Sequence, residues 1–223
     1  MSFPTTPVLD DFDRGDSATT IGGDWAMFMR SAGSYDMGIS SKEAYNPDSE
    51  YNGLIYDAAQ YGPACEVYAF LGTLPDLDSN GFKLYARQRD VVVDAWNFDG
   101  YRMLSYPYVD GGTKINLSLA RVDDNVETQL GASVGGLAGV NGDAFGMRLR
   151  GSSIEGWYRS SGESWAWKLS RSDATYAAAG YLGFFSGSEG TWRMGPFGGG
   201  TVAGAGRLVD SLRLKSKVQG GLA

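Results

Sequence analysis

Histidine is absent from this 223-residue chain, and cysteine occurs once, as Cys65. Without histidine there is no His-based triad, no His general base and no His-ligated zinc site. A lone cysteine forms no internal disulfide and no Cys-x-x-Cys pair for zinc or redox chemistry. Between Ala64 and Glu66, Cys65 reads as a small buried apolar residue. Basic residues are the minority, 19 Lys and Arg against 26 Asp and Glu. The resulting charge of −7 argues against the basic patch that a general nucleic-acid or anionic-membrane surface needs. No run of about 18 apolar residues occurs, so no segment reads as a transmembrane helix. Neither a long amphipathic helix nor a fixed-period repeat is present. The opening Met-Ser-Phe-Pro-Thr-Thr-Pro has no basic and no apolar region of the signal-peptide kind, so no signal is expected.

What is abundant is strand and turn material. The chain is 43% hydrophobic, with 33 glycines and 13 tyrosines. That suffices for a real core cut by many turns. The clearest stretch runs from Ala144 to Phe185. Phe145, Met147 and Leu149 alternate with Gly146, Arg148 and Arg150. Ile154, Gly156 and Tyr158 alternate with Glu155, Trp157 and Arg159, and Trp165, Trp167 and Leu169 with Ala166 and Lys168. Period two with Gly/Ser breaks predicts an antiparallel meander with one buried face, which needs a second sheet to cover it.

The same reading predicts strands at Val8–Asp13, Phe82–Arg89, Val91–Val93, Lys114–Arg121 and Leu208–Leu214, and an apolar segment at Trp25–Met29. Residues 31–63 read as short strands and long loops. Glu66–Leu71 fits a strand or one helical turn equally. Pro75–Gly81, Tyr106–Gly112 and Gly198–Gly200 read as turns or loops. One domain over 1–215 is expected, with a frayed tail at 216–223.

Val8, Asp10 and Phe12 share one strand face, as do Leu208, Asp210, Leu212 and Leu214. Each strand thus sets an Asp in an apolar stripe, and a buried carboxylate needs a cation or several donors. Pairing with an Arg such as Arg14 is one reading. A structural calcium on Asp10 or Asp13 is the other. No Asp-x-Asp-x-Asp-Gly loop accompanies it, so no cofactor is expected.

Three places carry a resemblance. The opening Val8-Leu9-Asp10-Asp11-Phe12-Asp13-Arg14 with Gly23-Asp24-Trp25, the meander from Gly142 to Trp167, and the closing Val209-Asp210-Ser211-Leu212-Arg213-Leu214 together resemble concanavalin A-like, or laminin-G-like, jelly-roll domains. The resemblance implies an all-β antiparallel two-sheet sandwich with its N- and C-terminal strands adjacent. Similar domains occur in phage virion proteins, as minor tail or capsid decoration proteins. It therefore implies a non-catalytic structural protein of a bacteriophage virion, located on the virion. Other virion proteins and host-surface polysaccharide are its expected partners, and oligomeric assembly its expected state. The alternative is a carbohydrate-binding module of a bacterial exported, extracellular protein. A glycan-active enzyme ranks third. Glycanases of this fold carry Glu-x-Asp-x-x-Glu, and here no Glu is followed by Asp two positions later. No nucleic-acid or membrane partner is expected.

Trp157 is the first candidate contact residue. With Ile154 and Tyr158 in the core, it faces outward with Arg148, Glu155 and Arg159. An aromatic among charged groups suits a sugar ring or a protein interface. The competing reading is that the chain's own loops cover Trp157. Trp25, Trp165 and Trp167 are assigned to the core, and Trp192 is left open. Arg14-Gly15-Asp16 reads as a turn rather than an adhesive tripeptide. Asn116-Leu117-Ser118 is a sequon in a predicted strand.

Overall fold

A computed structural model describes residues 2–18, 20–30, 37–47, 52–73, 81–92, 97–108, 114–186 and 193–203. The predicted strand at 208–214, the tail, Trp192 and Asp210 lie outside the described residues.

The first eight strands are β1 (Val8–Asp10), β2 (Trp25–Arg30), β3 (Gly38–Ser40), β4 (Glu43–Tyr45), β5 (Asn52–Tyr61), β6 (Cys65–Thr73), β7 (Phe82–Val92) and β8 (Asn97–Tyr108). The rest are β9 (Lys114–Asp123), β10 (Val126–Gln129), β11 (Val134–Ala138), β12 (Ala144–Arg150), β13 (Ser153–Arg159), β14 (Ala166–Ser172), β15 (Gly180–Ser186) and β16 (Arg193–Thr201). They form two antiparallel sheets. The first has the order β14-β13-β12-β6-β16-β4-β3, with β1 also on β16. The second has the order β10-β9-β8-β7-β15-β5-β2, with β11 also on β9. The first and last described strands therefore lie side by side.

Alternation decides what faces the core. Phe145, Met147 and Leu149 of β12, Ile154 and Tyr158 of β13, and Val67, Ala69 and Leu71 of β6 line the inner face of the first sheet. Leu84, Met103, Leu117, Leu119 and Phe184 meet them from the second. Fully burying a large apolar side chain stabilises by about 1.5–3 kcal/mol, so this apolar layer holds the sheets together. A smaller cluster of Phe28, Ile55, Tyr85, Phe98, Val122 and Phe185 takes the alternate positions, on the outer face of the second sheet.

Of the two readings for Glu66–Leu71, strand is the one observed, within β6. Several local expectations need correction. Phe82–Val92 is one strand, whose register shifts twice and so looks like two in sequence. Tyr106–Tyr108 continues β8. Residues 52–61 form one long strand where short pieces were expected. Gly198–Gly200 is no flexible turn but part of β16. A Cβ on Gly198 would collide with the Tyr68 ring, and one on Gly199 would lie 2.6 Å from the Glu66 carbonyl. Only glycine lets this strand run so close to its neighbours.

Candidate functional site

The outer face of the first sheet is built in register rows. One row crosses Gly200, Glu66, Arg148 and Glu155. The next crosses Gly198, Tyr68, Gly146, Trp157 and Trp167. The predicted parity of Trp157, Arg148, Glu155 and Arg159 is therefore right, because all four point away from the inter-sheet core. Their exposure is another matter. Residues 2–6 run over this face. Phe3 stacks on Trp157 with ring centroids 5.0 Å apart and planes 5° from parallel. Gly146 leaves the space for it, since a Cβ there would sit 2.7 Å from the Phe3 ring.

Arg148 is accordingly only 1% exposed, not open to solvent as its face suggests. Its Nε donates to Glu66 Oε1 at 2.6 Å, and its Nη2 lies 2.5 Å from the same oxygen and donates to the Ser2 carbonyl at 2.5 Å. Glu66 also accepts from the Thr5 N–H at 2.6 Å, the Thr6 N–H at 3.2 Å and both threonine hydroxyls. Trp157 Nε1 donates to Glu155 Oε2 at 3.2 Å. Arg159 lies over Phe70, 5.1 Å from its centroid. Of the two readings left open for Trp157, cover by the chain's own segment is the one observed. Sequence reasoning missed Glu66, Phe3 and the threonine pair. The available signal was Gly146, a glycine set between bulky neighbours in a regularly alternating strand.

Two tryptophans assigned to the core are elsewhere. Trp165 packs edge-on against Phe3, Tyr68 and Phe70 on the outer face. Trp167 is 57% exposed. A register shift opposite Gly156 and Trp157 interrupts the alternation that the sequence suggests. Trp25 does pack against the core.

Asp10 resolves as the arginine-paired case. Its carboxylate accepts from Arg14 Nη1 at 2.7 Å and Nη2 at 2.9 Å, from Trp25 Nε1 at 2.6 Å and from the Phe12 N–H at 2.8 Å. Burial pushes this carboxyl's pKa up, but those four donors outweigh it and hold it below the usual value. Arg14 also donates to the Ile21 carbonyl, so the Arg-Gly-Asp arginine is engaged in the fold. Asp13 pairs with Lys42 at 2.8 Å.

A second arrangement, which the sequence did not single out, lies where β5, β7 and β15 end. Gln60, Arg89, Asp90, Ala178, Ala179 and Tyr181 line a cleft of about 400 Å³. Two bulges in β7 shape it, and Arg87 and Asp90 take left-handed φ values of 52° and 51°. Arg87 is fully buried and donates to the carbonyls of Gly151, Tyr176 and Pro63, which ties three loops together. The loop before β15 is also held by Asp173, which accepts from Tyr101, Thr175 and Arg121. Burial raises the Asp173 pKa, but the Thr175 N–H, Tyr101 and Arg121 more than offset it, down to about 2. Gln60, Arg89 and Asp90 are exposed, and their side chains make no hydrogen bond or ion pair among the described residues. The cleft thus offers a cation, a carboxylate and an amide beside the Tyr181 ring.

By architecture, the chain is a lectin-like jelly-roll sandwich. No protein-family profile matches it, and no curated protein matches it either. Solved structures do. The carbohydrate-binding module CBM66 from Bacillus subtilis is similar at 9% identity and TM-score 0.53, over 80% of this chain and 94% of that one. A legume lectin-like domain from Entamoeba histolytica is similar at 11% identity and TM-score 0.54, over 81% and 91%. The exoplasmic/lumenal domain of VIP36 in its Ca2+/Man2-bound form is similar at 12% identity and TM-score 0.57, over 88% and 87%. At such identities the likeness concerns the fold alone.

Proposed function

We propose that this chain is a non-catalytic, lectin-like domain that binds carbohydrate in the Gln60–Arg89–Asp90–Tyr181 cleft. The observation that carries the reading is the unengaged set of donors and acceptors beside an aromatic ring, on a fold used by carbohydrate-binding modules. A sugar needs that combination: planar polar groups for its hydroxyls and an apolar face for its C–H surface. Fold alone does not assign function, so the site bears the argument. The cleft lining holds one carboxylate, Asp90, whereas glycoside hydrolysis uses two across one sugar. On the outer face, Glu66 and Glu155 flank Arg148 and both face its guanidinium. These arrangements support binding rather than cleavage.

A glycan array followed by calorimetry tests the reading. Asp90→Ala should weaken the best ligand at least tenfold while leaving the melting temperature within about 2 °C, since surface changes shift stability little. Tyr181→Ala, which also removes packing against the outer-face cluster, should weaken it as much in the folded fraction. Retained affinity in both variants, or hydrolysis of any glycan by the parent chain, overturns it.

A virion setting is a second reading. It rests on the resemblance of the opening motif to phage-borne domains, a motif whose Asp10, Phe12, Arg14 and Trp25 are in mutual contact in this fold. On that reading the chain assembles with other virion proteins as an oligomer and presents the cleft to host-surface polysaccharide. Mass spectrometry of purified particles tests it, and absence of the chain from them refutes it.

A further inference from the structure

The segment 2–6 makes the contacts of a ligand. Its one aromatic ring lies flat on an indole. Its two threonine hydroxyls donate to a carboxylate, Thr5 Oγ1 to Glu66 Oε1 and Thr6 Oγ1 to Oε2, both at 3.1 Å. The Ser2 carbonyl accepts from a guanidinium. A hexose uses the same three: a C–H face on an aromatic platform, a diol on a carboxylate, and a ring or exocyclic oxygen on an arginine.

We infer that the outer face beneath residues 2–6 is a second carbohydrate site, held shut by the chain's own N-terminal segment. Its ligand is a neutral sugar residue bearing a vicinal diol. Glu66 takes the diol, Arg148 the ring oxygen, and Trp157 the C–H face. Glu66 and Glu155 both face Arg148, so the trough disfavours an anionic ligand.

Three further observations agree. The pair is 0% and 1% exposed yet stands on the face away from the core, where apolar residues under a structural strap would serve stability as well. The trough is floored by glycines: a Cβ on Gly146 would strike Phe3, and one on Gly200 would press on Thr6 at 3.3 Å. The aromatic row does not stop at the strap. Trp167, register partner of Trp157 and 57% exposed, extends it outward. A glycan that reaches Trp167 is positioned to compete with Phe3 for Trp157.

The inference is independent of the Tyr181 cleft, and its test removes the cleft. In a Tyr181→Ala background, the full chain carrying Phe3→Ser, Thr5→Ala and Thr6→Ala is compared with the unaltered segment. The probes are methyl α-mannoside, methyl β-glucoside and methyl β-galactoside at millimolar concentration, read by saturation-transfer NMR and tryptophan fluorescence. The altered segment should raise affinity for at least one probe tenfold or more, and adding Trp157→Ala should abolish the gain. The hexapeptide Ser-Phe-Pro-Thr-Thr-Pro should compete with the bound sugar. A folded triple variant with no gain for any probe overturns the inference, as does a gain that survives Trp157→Ala. Loss of folding in the triple variant also overturns it, because the segment is then a structural strap. None of these outcomes bears on the cleft, which is intact and separately tested in the parent chain.

Discussion

Asp10→Asn isolates the unit that fastens the start of the chain. The carboxylate accepts four donors, two of them from Arg14, at 2.6–2.9 Å. Asparagine keeps the shape and one acceptor oxygen but turns an NH2 group toward donors in either orientation. Hydrogen bonds to charged groups contribute about 1.5–3 kcal/mol each. The Arg14 side chain is 34% exposed while that of Asp10 is 9% exposed, so solvent screening discounts the arginine share. We expect a net loss of about 2–3 kcal/mol, dominated by the buried Trp25 and Phe12 bonds. For a domain of this size that lowers Tm by about 5–10 °C.

The pH dependence has a definite sign. Asp10 is held below its unfolded value, so its contribution is full above the ordinary carboxyl range and disappears as pH falls through the folded value. The gap between parent and variant should therefore close on acidification. Thermal unfolding followed by circular dichroism, with and without EDTA, is the assay. A Tm change below about 2 °C for the variant refutes the reasoning. So does a drop in parent Tm with EDTA that calcium restores, since a metal would then be competing for oxygens assigned here to Arg14 and Trp25.

Asp173→Asn should lower stability at neutral pH, and the difference from the parent should vanish between about pH 4 and pH 2 in acid titrations, because the folded pKa is about 2. The Cys65 thiol, pushed up to about 12 chiefly by burial, should resist iodoacetamide in the native chain and react on unfolding, as mass spectrometry would show. Arg87→Met should cost about 1–3 kcal/mol for each loop carbonyl left buried without its donor, and should abolish cleft binding under conditions where the variant is still folded.

The meander was legible because its period is unbroken over β12 and β13, and the sides of Phe145, Ile154, Tyr158 and Trp157 follow from it. Asp10 and Arg14 were legible because an Asp in an apolar stripe demands a partner and an arginine stands four residues on. The cleft was not. It depends on two bulges in β7, which reverse the facing of Arg89 and Asp90 without any mark in the pattern of residue types. Trp167 was misassigned for the same physical reason, a register shift in β14. The cover over Trp157 was hidden for a different one. Phe3 lies 154 positions away in sequence, and nothing local to Trp157 encodes it.

Where the chain buries charge is the more telling feature. The layer between the sheets is built mainly from apolar and tyrosine side chains. On the outer faces stand Glu66 with Arg148 on the first sheet and Arg102, paired with the exposed Glu127, on the second, while Arg87 and Asp143 are buried against loop backbone groups. Burying an ion pair adds little stability compared with apolar residues of similar volume, and removing one partner is costly. Such pairs are therefore poor fasteners and good selectors, since they accept only a covering group that completes their hydrogen bonds. On the first sheet that group is a backbone with two threonine hydroxyls, which completes the hydrogen bonding that Arg148 gives Glu66. This is the face on which we propose that a glycan's hydroxyls replace those of the chain's own N-terminal segment.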